Sequence, residues 1–190
     1  IIISTSFFIF SKDGLKERVK FNLPQSIVGS FNELDSGMKC FDINYIHLEK
    51  NQKNICEIGN SNNEKIDFVI FGDSHIVSFH DLFNRLAKKY NKKGLFIGYS
   101  GCPPILDIYT LRSDQVKKDC NKLNKYIFEI INDKQIKNLV LISKWTYYTD
   151  GNNFGKNLNF ISSKPRKSTN KILSRKAFEL GMNKTLNKYS

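Results

Sequence analysis

Histidine is scarce in this chain, and its placement is a constraint. There are three, His47, His75 and His80, and all lie in the first half. Acidic residues are also few, 18 Asp and Glu against 30 Lys and Arg, for a net charge of +12. That balance suits polyanions in general. The lysines, however, stand in ones and twos among Asn and Ser ("KKYNKK", "NKLNKY", "SSKPRKSTNK"), the pattern of solvated faces. No nucleic-acid recognition motif accompanies them, so nucleic acid is not an expected partner. No C-x-x-C pair is present and the histidines lie apart from the cysteines, which argues against a zinc site. No motif calls for a metal or other cofactor. No apolar run reaches the roughly 20 residues of a complete membrane-spanning helix. No internal repeat appears, and the only compositional bias is toward Lys and Asn.

The 190 residues are enough for one domain with a real core, and 40% hydrophobic with 25% charged content is that of a globular chain. The chain opens on "IIISTSFFIF", ten almost unbroken apolar residues with no basic segment before them, so it is not a signal peptide. A polar break, "SKDGLKER", follows at once. Residues 1–10 therefore read as the end of a truncated transmembrane helix, with Lys12, Lys16 and Arg18 at the membrane surface. A buried strand is the alternative. The four cysteines, Cys40, Cys56, Cys102 and Cys120, form two pairs at short separations, as suits two disulfides in an oxidising compartment. Three connectivities are open. The local pairing Cys40–Cys56 and Cys102–Cys120 is the expected one, and four reduced cysteines in a cytosolic core are the alternative.

Residues 11–60 lack a long amphipathic run and read as an extended lead-in or linker, with an α/β domain over 61–190. Strands are expected at about 66–71 (IDFVIF), 94–99 (GLFIGY) and 137–143 (KNLVLIS). Between them lie helices at about 75–90, with Phe79, Leu82, Phe83, Leu86, Ala87 and Tyr90 at helical spacing, and at about 113–132, with Ser113 as N-cap. A last helix follows Ser168 or Thr169, with Ile172, Leu173, Ala177, Leu180 and Leu186 as its apolar stripe. Continuous apolar strands alternating with helices imply a mainly parallel sheet covered on both faces, a three-layer α/β/α sandwich. Sites in such sheets lie beyond the carboxyl ends of the strands. Three turns occupy that position: Gly72-Asp73-Ser74-His75, Ser100-Gly101-Cys102-Pro103-Pro104 and Ser143-Lys144-Trp145.

A serine directly after a strand and at the start of a helix has two advantages. Its hydroxyl projects from a tight turn that Gly72 permits. Its own N–H and the next ones point outward without helical partners, and such donors stabilise an oxyanion by roughly 3–4 kcal/mol in a well-formed hole. Asp73 can order the turn by accepting backbone hydrogen bonds. Ser74 as a simple N-cap is the alternative.

Strand, Gly-Asp-Ser and helix together resemble the first block of the SGNH/GDSL hydrolase superfamily. "FGDSH", followed some 25 residues later by "SGCPP", resembles more narrowly the SGNH domain fused to the C-terminus of acyltransferase-3 membrane proteins, which O-acetylate lipopolysaccharide and other surface glycans. "GLKER" (14–18), "CEIG" (56–59) and "LVLISKWTYY" resemble further pieces of that family. The resemblance implies an SGNH/flavodoxin-like fold, Ser74 as nucleophile with its N–H as one oxyanion donor, and Gly101 as the source of another. The alternative is a Gly101 that serves only the turn before Cys102-Pro103. Where the superfamily's third block supplies an Asn, this chain has Ser143-Lys144-Trp145. Trp145 either stacks on a sugar ring or caps the core.

The resemblance also implies a base from a late Asp-x-x-His block, the His taking the serine proton. None of the three histidines has Asp three positions before it. His75 adjoins the serine but would point elsewhere, and His80 lies farther down the helix. The expectation is a fragment whose C-terminal part, with that block, is missing. The implied function is transfer of an acyl group, acetyl above all, to a surface carbohydrate through acyl-Ser74. The donor would come from a fused membrane acyltransferase domain, with this domain facing the periplasm and anchored to the inner membrane. An esterase or deacetylase of the same fold, and a non-catalytic glycan-binding module, remain as alternatives.

Overall fold

A computed structural model of the chain describes residues 11, 41, 56–112, 114–151, 159–166 and 168–189, with the side chains of 114–116 left aside. The chain divides into two compact units, Ile1–Glu33 and Leu34–Ser190, and every described residue except Ser11 belongs to the second. The expected membrane-helix end at 1–10, with Lys12, Lys16 and Arg18, lies outside the described residues, as do His47, Cys40 and the Ser113 cap.

In chain order the elements are β1 (Cys56–Gly59), β2 (Phe68–Gly72), a 3-10 helix (Ser74–Phe79) running into α1 (His80–Lys89), β3 (Lys93–Gly98), β4 (Tyr109–Thr110), α2 (Asp114–Asp133), β5 (Asn138–Ile142), α3 (Trp145–Thr149), β6 (Ile161–Ser162) and α4 (Lys171–Tyr189). Four strands form one sheet in the order β1-β3-β2-β5, and β4 pairs with β6 apart from it. β2 runs parallel to both β3 and β5, while β1 is antiparallel to β3.

Alternation along the strands divides the core between two faces. Val69 and Phe71 of β2 and Leu95 and Ile97 of β3 face a cluster completed by Cys120, Leu123, Ile127 and Ile130 of α2 and Ala177 of α4. Ile70 and Phe96 face the other side, with Ile58 of β1 and Ile76 of the 3-10 helix. Helical layers thus cover both faces of a mainly parallel sheet, the three-layer architecture expected from the sequence.

Two helices bury only part of the apolar positions expected, Ala87 on α1 and Ala177 on α4, and use other residues for the rest. On α1, Ala87 and His80 are buried, whereas Phe79, Leu82, Leu86 and Tyr90 are exposed. His80 sets its ring edge-on to Phe96, with centroids 4.9 Å apart. On α4 the buried positions are Ser174, Ala177, Gly181 and Thr185, while Ile172, Leu173, Leu180 and Leu186 face outward. The reason is close approach. A Cβ at Gly181 would lie 2.5 Å from Ile105 Cγ2 and 3.0 Å from the Leu106 carbonyl oxygen. Thr185 Oγ1 accepts from the Leu106 amide at 2.9 Å, and Ser174 Oγ accepts from the Ile161 amide at 2.9 Å.

The Ser100–Pro104 turn is tied to α2. Cys102 and Cys120 form a disulfide with Cα atoms 5.4 Å apart. Asn124 Nδ2 donates to the carbonyls of Pro103 and Ile105 at 3.0 and 2.6 Å. Cys56 is also disulfide-bonded. With a sequence separation of 18 between its ends, the Cys102–Cys120 loop stabilises by about 3 kcal/mol through the unfolded chain. Replacing both cysteines by serine should lower the unfolding free energy by that amount in non-reducing urea denaturation. An unchanged midpoint would show that α2 packing alone holds the turn.

Candidate active site

The register puts three turns on one edge. Gly72, the last residue of β2, lies between Gly98 of β3 and Ile142 of β5, so the chain leaves all three strands at the same level. Gly72 must be glycine, because a Cβ there would sit 1.8 Å from the Ile142 carbonyl oxygen. The Tyr99 amide bonds the Gly72 carbonyl at 3.2 Å, and the Asp73 amide bonds the Ile142 carbonyl at 3.3 Å. The β2 turn is therefore fastened on both sides.

Asp73 is the hub. Its carboxylate is 2% exposed. Oδ2 accepts from Ser143 Oγ at 2.6 Å, Tyr148 Oη at 2.9 Å and the Lys144 amide at 3.1 Å. Oδ1 accepts from the His75 amide at 2.9 Å and lies 2.9 Å from His75 Nδ1. Burial pushes the carboxyl up, but the bonds from Ser143, the His75 amide, Tyr148 and the Lys144 amide together outweigh it and hold Asp73 below its ordinary value. Burial, then the Asp73 charge and the hydrogen bond to it, push the Tyr148 phenol up. A charged acceptor thus meets protonated donors, the arrangement that stabilises a buried ion.

Ser74 stands at the exposed surface of this turn. Its hydroxyl and amide make no hydrogen bond to another described residue. The following amides are committed, His75 to the Asp73 side chain and Ile76 to the Asp73 carbonyl at 3.1 Å. Of the outward donors expected from the sequence, only the Ser74 amide is left, because Asp73 caps the turn. His75 turns away from Ser74 toward Asp73 and Tyr147, with the His75 and Tyr147 rings 6.0 Å apart. Burial lowers the pKa of His80, partly offset by Asp81, and the side chain belongs to the core.

Gly101 is buried with a φ of +65°, a conformation suited to glycine. The Arg112 guanidinium packs on it, and a Cβ would meet Arg112 Cζ at 2.2 Å. Arg112 and Tyr148 had no signal in the sequence that tied them to the turns. Trp145 opens α3 half-buried and sets its ring edge-on to Phe178, 5.9 Å between centroids, against the core. Among the described residues no group of three His, Cys, Asp or Glu side chains could hold a metal ion. A separate cleft of about 410 Å³ lies between α2 and α4, lined by Asp107, Lys125, Phe128 and Lys184 among others.

A family model described as SGNH domain (fused to AT3 domains) matches residues 39–190. The chain belongs to this family. The SGNH assignment accounts for the Gly-Asp-Ser turn on the central strand. The solved Salmonella ser. Paratyphi A lipopolysaccharide acetyltransferase periplasmic domain is similar, with a TM-score of 0.48 and 16% identity, over 87% of this chain and 56% of that one. This SGNH chain thus spans little more than half of that domain. No curated protein matches it. Among the described residues no helix is long and apolar enough to cross a membrane.

The Asp73 contacts predict an acid response. A carboxyl held below its ordinary value contributes stability that is fully present above that value and is lost as pH falls through the lowered one. Tyr148→Phe removes one donor, so the folded-state value rises and acid unfolding begins at higher pH. At neutral pH the variant should lose about 1.5–3 kcal/mol, as for a hydrogen bond to a charged group. Circular dichroism from pH 7 to 2 would check both, and an unmoved acid midpoint would rule out a contribution of Tyr148 to Asp73 ionisation.

Proposed function

We propose that this SGNH domain is the extracytoplasmic module of a membrane O-acyltransferase and that Ser74 is its nucleophile. Ser74 Oγ attacks the carbonyl of an acyl group, acetyl above all, delivered by a fused AT3 membrane domain. Its proton passes to a base, and the donor's leaving group departs. A carbohydrate hydroxyl, such as one on a lipopolysaccharide O-antigen, then attacks acyl-Ser74, loses its proton and regenerates the serine. The Ser74 and Gly101 amides are the proposed oxyanion donors. Gly72 and Asp73 hold the turn. The domain would face the periplasm, anchored to the inner membrane.

One observation carries this proposal: in a chain of the AT3-fused SGNH family, the turn serine is exposed and uncommitted while the aspartate before it is buried and fully bonded. Hydrolysis by the same acyl-serine is the second reading, because only the group that resolves the intermediate differs. A module that binds glycan without chemistry would leave Ser74 inert.

A serine-reactive acyl probe on the full natural protein, with mass spectrometry to locate the label, tests the nucleophile. Labelling of Ser74 that Ser74→Ala abolishes is expected. Absence of label on a folded protein would leave the glycan-binding module. Acyl release that an added sugar acceptor accelerates over water would favour transfer, and release indifferent to sugar would favour the esterase.

A further inference from the structure

Near the turns around Ser74 lie two cationic groups, the Arg112 guanidinium and the Lys144 ammonium, whose contacts among the described residues are to neutral groups. Arg112 is half-buried over Gly101, on the β3 side of the site, and donates to Asn159 Oδ1 at 3.2 Å. Lys144 is half-buried on the β5 side, with Nζ 3.7 Å from the centroid of the Tyr147 ring. β2, which carries Ser74, lies between β3 and β5. Gly101, under Arg112, and Lys144 thus belong to the turns on either side of the strand that leads to Ser74. Elsewhere several basic side chains meet carboxylates, Arg85 with Asp81, Lys92 with Asp67 and Lys93 with Glu57, while Lys188 lies over the Phe128 ring as Lys144 lies over Tyr147. Among the described residues of the three turns the one carboxylate is Asp73, which is buried and bonded by donors from the turns, and neither Arg112 nor Lys144 Nζ is among them.

The fields of the two sides overlap. Arg112 acts electrostatically on Tyr148, whose hydroxyl is 2.9 Å from Asp73 Oδ2, and Asp73 in turn accepts the Lys144 amide. Two half-desolvated cations against one internally satisfied anion leave net positive charge at the mouth. A guanidinium offers a fork of donors to a carboxylate, and an ammonium offers a point charge. Neither is needed to bind neutral hydroxyls.

Resting on the acyl-transfer reading of this site, we propose that Arg112 and Lys144 select an acceptor glycan bearing a carboxylate, an acidic sugar, and hold it beside Ser74. The cations act on the sugar's acid group and position the hydroxyl that receives the acyl group. They are specificity determinants and take no part in bond making.

Calorimetric titration of the Ser74→Ala protein with trigalacturonate and with maltotriose tests this. The acidic trisaccharide should bind about tenfold more tightly at low salt, the sum of two partly exposed ionic contacts, with the advantage shrinking as salt is added. Arg112→Gln and Lys144→Gln should each remove several-fold of it, Arg112→Lys should retain most of it, and Lys88→Gln, an exposed lysine of α1, should leave it intact. Equal affinity for the two sugars would overturn the proposal, as would a preference that both site variants keep. Inorganic phosphate binding more tightly than trigalacturonate, through the same two residues, would also overturn it by assigning the cations to a phosphate. The measurement needs no nucleophile, so it stands or falls apart from the acyl-probe result.

Discussion

A carboxylate with 2% exposure is a heavy charge to place inside a protein of this size, and the structure around β2 is arranged to satisfy it. Removing a charge from water costs several kcal/mol even after relaxation. Asp73 recovers that cost through donors supplied by three separate pieces of chain: its own turn, the end of β5 and the side chain of Tyr148 on α3. Deleting any one of them exposes no apolar surface yet weakens the compensation for a buried charge. The β2 turn, the exit of β5 and the placement of α3 are therefore one electrostatic unit.

That unit explains why Ser74 can be both exposed and fixed. The residue before it is anchored in the core, and the strand before that cannot shift, since Gly72 already touches the Ile142 carbonyl as closely as a glycine allows. On the β3 side the same economy recurs. Gly101 takes a positive φ and makes room for a guanidinium, while Cys102 is bolted to α2. Among the described residues the Ser74 amide and hydroxyl are left with no internal partner.

Much of this was legible in the sequence, and the rest was hidden for definable reasons. The three sheet-forming runs that carry the site are largely continuous in apolar character, which reads directly as buried parallel strands, so the convergence of the turns followed. The helix faces did not. Size and hydrophobicity pointed to Leu180 and Leu186 as core, yet α4 packs through Ser174, Ala177, Gly181 and Thr185. Small side chains that let a helix approach and then hydrogen-bond its neighbour carry no signal in hydropathy. Phe79, Leu82 and Leu86 of α1 misled in the same way. In the site, Asp73 was visible as a turn former but its bonds to Ser143 and Tyr148, 70 and 75 residues away, were not. Arg112 belongs to no motif; only the space above a glycine brings it in.

Those same separations have a kinetic meaning. Contacts between residues far apart in sequence are closed late, because the loop entropy is spent before they return anything. The disulfide closes a sequence separation of 18, and the β1–β3 and β2–β3 pairings span intermediate distances, but Asp73 Oδ2 meets Ser143, Lys144 and Tyr148 only when β5 and α3 are docked. Without β5 and α3, Asp73 would keep only the bonds from its own turn. The order of the turn that displays Ser74 is thereby tied, through Asp73, to the docking of β5 and α3.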